Sequence, residues 1–283
     1  MTDSTDRLLD FCDASPANSM SRSLRRRLMM DLTSTAAGVI ELRQGGETAM
    51  VAVLIDLVES SANCAVLELM GARSEFQLED LLEVALQRSE AIVRQGDRAG
   101  IEVPVQPQWP QWRRPLREAS YALAYSTYDM ATPTRPAPRK LPLPGPDWVW
   151  SDTLEQPVER CYGLVKAAMR DVPGAYIGPL DVFAQKLAGK RDDVLLKSGR
   201  LAAFVSVSMQ GDVGHIDMLG RHPDFRGAGL GRLLLSKGVD RLAEKGASSL
   251  ALDVTTSNTA ALDLYRDFGF TVESTTEVYR KTH

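Results

Sequence analysis

The stretch HIDMLGRHPDFRGAGLGRLLLSKGVDRL, residues 215–242, decides how this chain is read. A short strand is expected over 215–219. A glycine-rich turn follows at 226–231 and opens a helix over Leu230–Glu244. The apolar positions Leu230, Leu233, Leu234, Leu242 and Ala243 recur with a helical period, and Gly246 ends the helix. Gly227, Gly229 and Gly231 let the backbone turn sharply, so that several N–H groups point at one spot ahead of a helix N-terminus. Such a turn suits a phosphate or pyrophosphate. Its spacing, G-x-G-x-G, is not the G-x-G-x-x-G of a dinucleotide fold, and no G-x-x-x-x-G-K-S/T run is present. Asp253 lies where a ribose ligand would be sought, but too little chain follows to build a doubly wound sheet.

Outward from the turn, the pattern alternates strands and helices. Residues 249–254 read as a strand, 259–268 as a helix ending at Gly269, and 270–280 as one or two further strands. Upstream, 153–171 and 180–189 read as helices. Residues 194–197 and 201–209 read as strands around the turn Ser198-Gly199-Arg200.

Arg226-Gly227-Ala228-Gly229-Leu230-Gly231 resembles the R/Q-x-x-G-x-G/A signature of the GNAT acyltransferase superfamily. Asn258, Ala261, Tyr265, Gly269 and Phe270 are similarly placed to a second family signature, N-x-x-A-x-x-x-Y-x-x-x-G-F. The resemblance implies an α/β (α+β) fold with a mostly antiparallel sheet flanked by helices and two splayed strands that take acetyl-coenzyme A. It implies that Arg226, Gly227, Ala228, Gly229, Leu230, Gly231 and Arg232 hold the pyrophosphate. Leu219, Gly220 and Arg221 would face the pantetheine arm, with the Gly220 N–H polarising the thioester carbonyl. Asn258 would bond the arm, and Tyr265 would protonate the leaving thiolate. An amine near pKa 10.4 is mostly protonated at neutral pH, so a base or water relay should help. Asp217 and His215 on the entering strand and Asp253 on the facing one are candidates. Each also reads as an ordinary surface or strand-end residue; Tyr265 also reads as core, and Asn258 as a helix N-cap. No Cys lies within the signatures, so direct transfer is expected.

A proline-rich stretch, 131–147, holds six of the fifteen prolines and reads as a linker. The expected domains are 1–132, a linker at 133–147, and a catalytic domain at 148–283. At a constant offset of 149, residues 71–130 align with 220–279, a match of element order rather than identity. Opposite the glycine turn stands Gln77-Leu-Glu-Asp-Leu-Leu82; opposite Asn258 is Trp109, and opposite Tyr265 is Leu116. The first half therefore looks like a GNAT-like copy that has lost its cofactor site, as in tandem families such as the mycothiol synthases. Trp109, Trp112, Trp148 and Trp150 flank the linker as packing or pocket residues.

The remaining composition narrows the function. The 283 residues carry 33 Lys+Arg against 37 Asp+Glu, a net charge of −4, which argues against a nucleic-acid or anionic-membrane binder. The basic run at 21–31 reads as the solvated face of a helix. Three scattered cysteines (Cys12, Cys64, Cys161) and three histidines support neither a disulfide framework nor a metal site. The acidic start and the absence of a long apolar run point to a cytoplasmic protein without a signal or membrane span. The expected activity is acetyl-coenzyme A-dependent N-acetyl transfer to an amine of a small molecule or peptide. The alternatives are a non-catalytic acyl-coenzyme A sensor and a mycothiol-synthase-like enzyme. Acceptor identity and oligomeric state are not legible.

Overall fold

The turn at 226–231 joins a strand to a helix as its glycines require, and the elements around it fall into place on both sides. The computed structural model describes residues 36–55, 63–72, 78–107, 109–134, 136–137, 141–175, 177–188 and 192–283. The basic run at 21–31, Cys12, the acidic start and Gln77 lie outside the described residues. The strands are β1 (Ala36–Gln44), β2 (Glu47–Ile55), β3 (Cys64–Ala72), β4 (Gly100–Val105), β5 (Ala122–Thr132), β6 (Trp148–Asp152), β7 (Asp193–Lys197), β8 (Arg200–Gln210), β9 (Val213–Arg221), β10 (Ser249–Thr255) and β11 (Thr271–Thr282). The helices are α1 (Leu78–Val93), α2 (Arg113–Glu118), α3 (Val158–Met169), α4 (Leu180–Ala188), α5 (Leu230–Glu244) and α6 (Thr259–Asp267).

Two compact units share these elements. Described residues within 1–58, 62–127 and 275–283 form the first, and those within 128–274 form the second. In the second unit the strand order is β5-β10-β9-β8-β7-β6, antiparallel from β9 through β6, with β9 and β10 parallel. Helix α5 covers one face. Val205, Val207 and Ile216 crowd against its Gly238, and Leu234, Leu235, Val239 and Leu242 are fully buried. Each such side chain contributes about 1.5–3 kcal/mol of burial. Helices α3 and α4 cover the other face, where Cys161, Leu164, Val165, Phe183 and Leu187 pack with Phe204 and Val194. Arg241 near the end of α5 makes a two-point bond to Asp193 (2.8 and 3.2 Å) at the start of β7, and Lys237 stands 3.5 Å from the same carboxylate. That buried charge is thus matched, as a buried carboxylate must be.

One expected helix is divided. Instead of a continuous helix over 153–171, a 3-10 turn at Thr153–Glu155 precedes α3. Asp152 and Glu155 form a reciprocal capping box on that turn, and Pro157 then stands at the N-cap of α3. Proline tolerates a helix start but not its interior, which separates the two pieces.

In the first unit β1, β2, β3 and β4 are neighbours in that order, and residues 277–282 of β11 pair antiparallel with β4. Shifted by 149 residues, β3 falls on β9, and β4 and β5 fall on β10 and β11 to within one residue. The register matches as well: Cys64↔Gly100 becomes Val213↔Ser249. Where the turn of the second unit has glycine, α1 has Glu79 and Asp80 exposed in its first turn. Leu82 and Leu116 are fully buried, and Trp109 stacks on Trp112 at 4.4 Å.

Residues 275–283 are a working part of the first unit. Arg280 binds the buried Glu102, which also accepts from the Tyr125 hydroxyl at 3.0 Å. Lys281 pairs with Glu90 at 2.8 Å and Arg113 with Glu277 at 2.7 Å. Tyr279 is 0% exposed within the core of this unit. Truncating it opens a ring-sized cavity, so Tyr279→Ala is expected to cost about 3–5 kcal/mol. Urea unfolding followed by amide exchange at Gly100–Val105 checks this; a loss below about 1 kcal/mol would contradict the packing.

Candidate functional site

Two features of the second unit make a site: a parallel strand pair that separates, and a helix N-terminus left open beside it. The pairing of β9 with β10 runs only from Val213↔Ser249 to Ile216↔Leu252. Beyond Ile216 the strands part. The ladder of β9 with β8 continues, from Ser206↔Met218 to Ala203↔Arg221. The His222 N–H to Ala202 carbonyl bond sets the ladder so that the Met218 and Gly220 backbone groups face β8, and those of Leu219 and Arg221 are left to a ligand lying along the gap.

The gap leads to the glycine turn. After β9, His222 caps a 3-10 turn at Pro223–Phe225, accepting from the Asp224 N–H. Arg226 is exposed and extended (φ −60°, ψ 143°). Gly227 (φ 81°) and Gly229 (φ 68°) take left-handed conformations, and an added Cβ at either would meet nothing within 4 Å. Gly229 is the N-cap of α5 with no side-chain cap, so the orphan N–H groups of the first helical turn face open space. Ala228 is exposed, and Leu230 is 1% exposed in the core, anchoring the helix start.

The other two glycines are small because of their neighbours. A Cβ on Gly231 would lie 3.1 Å from Leu264 of α6, so Gly231 brings α6 against the first turn of α5. A Cβ on Gly220 would strike Phe204 at 2.7 Å and Ala168 of α3 at 3.0 Å. Gly231 stays compatible with a backbone contact to a ligand, whereas the Gly220 N–H and C=O are turned to β8; packing accounts for both glycines. Arg232 bonds Asp267 at 2.5 Å and lies over the Phe268 ring, tying α5 to α6 a second time.

Helix α6 thereby carries Asn258 and Tyr265 beside the turn. Asn258 is exposed and caps α6, its Oδ1 accepting from the Ala261 N–H at 3.3 Å. Tyr265 is 7% exposed and packs edge-on against Phe270 at 6.0 Å. Burial pushes its phenol up to about 12, so the hydroxyl keeps its proton throughout the physiological range. A phenol that ionises near 10 when unfolded and near 12 when folded stabilises the fold fully below pH 10. That contribution is lost as pH rises through 12. Between pH 9 and 11.5 the wild type should therefore lose about 2 kcal/mol more than Tyr265→Phe. Parallel denaturant titrations check this, and equal losses would show the phenol to be solvated.

The base candidates are placed differently. His215 is buried (4%) within the sheet, opposite Ser208. Asp253 is exposed on β10, just past the last paired residue. Asp217 is half-buried at the point where the strands part, and accepts from the Ser208 hydroxyl at 2.9 Å. Ser208 carries no motif in the sequence; only the strand register reveals it. Trp148 packs on Phe225 at 5.8 Å within the second unit, as Trp109 packs on Trp112 in the first. Among the described residues no cluster of three or more His, Cys, Asp or Glu could hold a metal ion, and no helix is long and apolar enough to cross a membrane.

Residues 164–270 match the model of the acetyltransferase (GNAT) family, so the chain carries a GNAT domain there. Over 76 residues it is 37% identical to ribosomal protein bS18-alanine N-acetyltransferase of Escherichia coli, covering 27% of this chain and 51% of that protein. Over 83 residues it is 40% identical to mycothiol acetyltransferase of Clavibacter sepedonicus, covering 29% of this chain and 27% of that one. The chain thus spans about half the length of the first relative and about a quarter of the second. A solved GCN5-related N-acetyltransferase from Sphaerobacter thermophilus superposes with a TM-score of 0.71 at 16% identity, over 98% of this chain and 90% of that one. A tandem GNAT protein from the clavulanic acid biosynthesis pathway does so at 0.70 and 14%, over 98% and 95%. At these identities the likeness speaks for the fold.

Proposed function

We propose that the protein is an acetyl-coenzyme A-dependent N-acetyltransferase whose catalytic domain is the 148–283 half, less residues 275–283, which belong to the first unit. The observation that supports this most is the pair of left-handed glycines, Gly227 and Gly229, at an uncapped helix N-terminus beside the parting of β9 from β10. The donor set fits the group: converging N–H dipoles for a pyrophosphate, room for close approach, and an exposed Arg226. The N–H groups of Gly227 to Arg232 would hold the phosphates, while Leu219 and Arg221 would line the arm of the cofactor. Bound acetyl-coenzyme A supplies the activated acetyl thioester.

The residues of this chain do the rest. The His222 N–H to Ala202 carbonyl bond fixes the register so that the Gly220 N–H faces Phe204 on β8, and an N–H that faces the gap, on Leu219 or Arg221, would instead donate to the carbonyl oxygen. Asp217 takes a proton from the amine, and Tyr265 holds a proton at Oη for the departing sulfur. The acceptor is an amine of a small molecule or peptide, and the compartment is the cytoplasm. We assign no cofactor to the 1–132 half: Glu79 and Asp80 satisfy the α1 dipole themselves and repel a phosphate by about 1 kcal/mol per charge pair in water at 4 Å, and about 4 at intermediate dielectric.

Calorimetric titration of the full chain with acetyl-coenzyme A, followed by turnover with a panel of polyamine, aminoglycoside and alanine-terminated peptide, tests the reading. The expected result is saturation at one equivalent per chain and release of free thiol with at least one amine. Binding without turnover would make the protein an acyl-coenzyme A sensor. Two equivalents would overturn the assignment of the first half.

A further inference from the structure

The contact between Ser208 and Asp217 exists because β9 is irregular. Ser206 stands opposite Met218, and Val207 stands opposite Ile216, so Asp217 is an extra residue in a β-bulge. A bulge places two consecutive side chains where the pleat would alternate them. Val205, Val207 and Ile216 point at α5. On the opposite face Phe204, Ser206 and Met218 line a small cavity with Cys161, Leu164 and Phe183 beneath α3 and α4. Alternation carries Ser208 to that second face with Ser206. The bulge brings Asp217 there too, beside Met218, and the Ser208 Oγ donates to Asp217 Oδ1 at 2.9 Å.

We propose that Ser208 is a positioning residue for acyl transfer. Its hydroxyl holds the Asp217 carboxylate in one orientation, at the α3/α4 face and at the point where β9 leaves β10. The inference rests on the acetyltransferase reading above. On transfer the nitrogen–carbon bond forms as the thioester carbon–sulfur bond breaks. One amine proton passes to Asp217, and the sulfur leaves as a thiol with the proton held at Tyr265. A carboxylate at the end of a flexible rotor would share its time among orientations; a fixed one presents its lone pairs to the amine at every encounter.

The test is a double-mutant cycle on the full chain, with acetyl-coenzyme A and the panel amine that wild type turns over fastest. Ser208→Ala is expected to lower kcat about tenfold, with the KM for acetyl-coenzyme A unchanged. Asp217→Asn should lower kcat roughly 100-fold. Adding Ser208→Ala to Asp217→Asn should cost nothing further, because the residue it positions is already gone. Ser208→Thr restores a hydroxyl and should recover most of the rate. Calorimetric affinity for acetyl-coenzyme A, expected to be unchanged in every variant, shows that the domain is folded. An unaltered kcat in Ser208→Ala, or a tenfold loss repeated when Ser208→Ala is added to Asp217→Asn, would overturn the proposal while leaving the acetyltransferase reading intact. Absence of wild-type turnover with every amine would instead remove that reading.

Discussion

Gly229→Glu is expected to weaken binding of acetyl-coenzyme A at least roughly a hundredfold. Gly229 is left-handed (φ 68°, ψ 14°) at the N-cap of α5, and a Cβ there points into open space. A glutamate would put a carboxylate in the place proposed above for a pyrophosphate. Two unit charges about 4 Å apart at intermediate dielectric repel by about 4 kcal/mol, roughly a thousandfold in Kd. The substitution also strains the backbone by about 1–2 kcal/mol, because an L side chain resists this conformation. Gly229→Asn separates the two effects, since asparagine tolerates left-handed backbone and carries no charge. We expect it to bind about tenfold more weakly than wild type, and the glutamate variant to bind at least roughly a hundredfold more weakly. Calorimetry on both decides it. Equal affinity of Gly229→Glu and wild type would place the phosphates elsewhere.

Tyr265→Phe is expected to lower kcat on the order of 100-fold while leaving acetyl-coenzyme A affinity within about twofold. Phenylalanine keeps the ring that packs on Phe270, so the core is undisturbed. Only the hydroxyl is lost, and burial keeps it protonated up to about pH 12. In the proposed role it would therefore carry a proton for the departing sulfur at any working pH, and no limb of the pH–rate profile below pH 10 would belong to it. Rapid-quench turnover under chemistry-limited conditions is the measurement. A mutant as fast as wild type would make Tyr265 a core residue and nothing more.

Much of the second unit is legible in the sequence because glycine punctuates it. Helix α5 spans Leu230–Glu244 as its period and flanking Gly229 and Gly246 foretell. The 149-residue repeat holds through strand limits and even the parallel register, although few identities mark it. What escapes is whatever depends on elements meeting. A capping box can imitate the start of a longer helix, so the break before Pro157 is hidden. Gly231 reads as part of the anion turn, but its lack of a side chain answers to Leu264 on another helix. Gly220 likewise answers to Phe204 and Ala168. Ser208 is invisible, because a bulge leaves no compositional trace and its partner lies on another strand. The acceptor amine stays unread for the same reason: α3 and α4 carry no motif, only shape.

Residues 275–283 complete the sheet of the first unit by pairing with β4, about 180 positions earlier. A ribosome adds roughly 5–20 residues each second, so β4 waits on the order of ten seconds or more for that neighbour. During this interval the β4 edge is open, and Glu102 and Glu90 lack the cations that later meet them. The first half of the chain cannot reach its final state while it is being made, and the usual order of domain maturation is suspended. Synthesis errors or truncations near Tyr279 would therefore injure the part of the protein translated first.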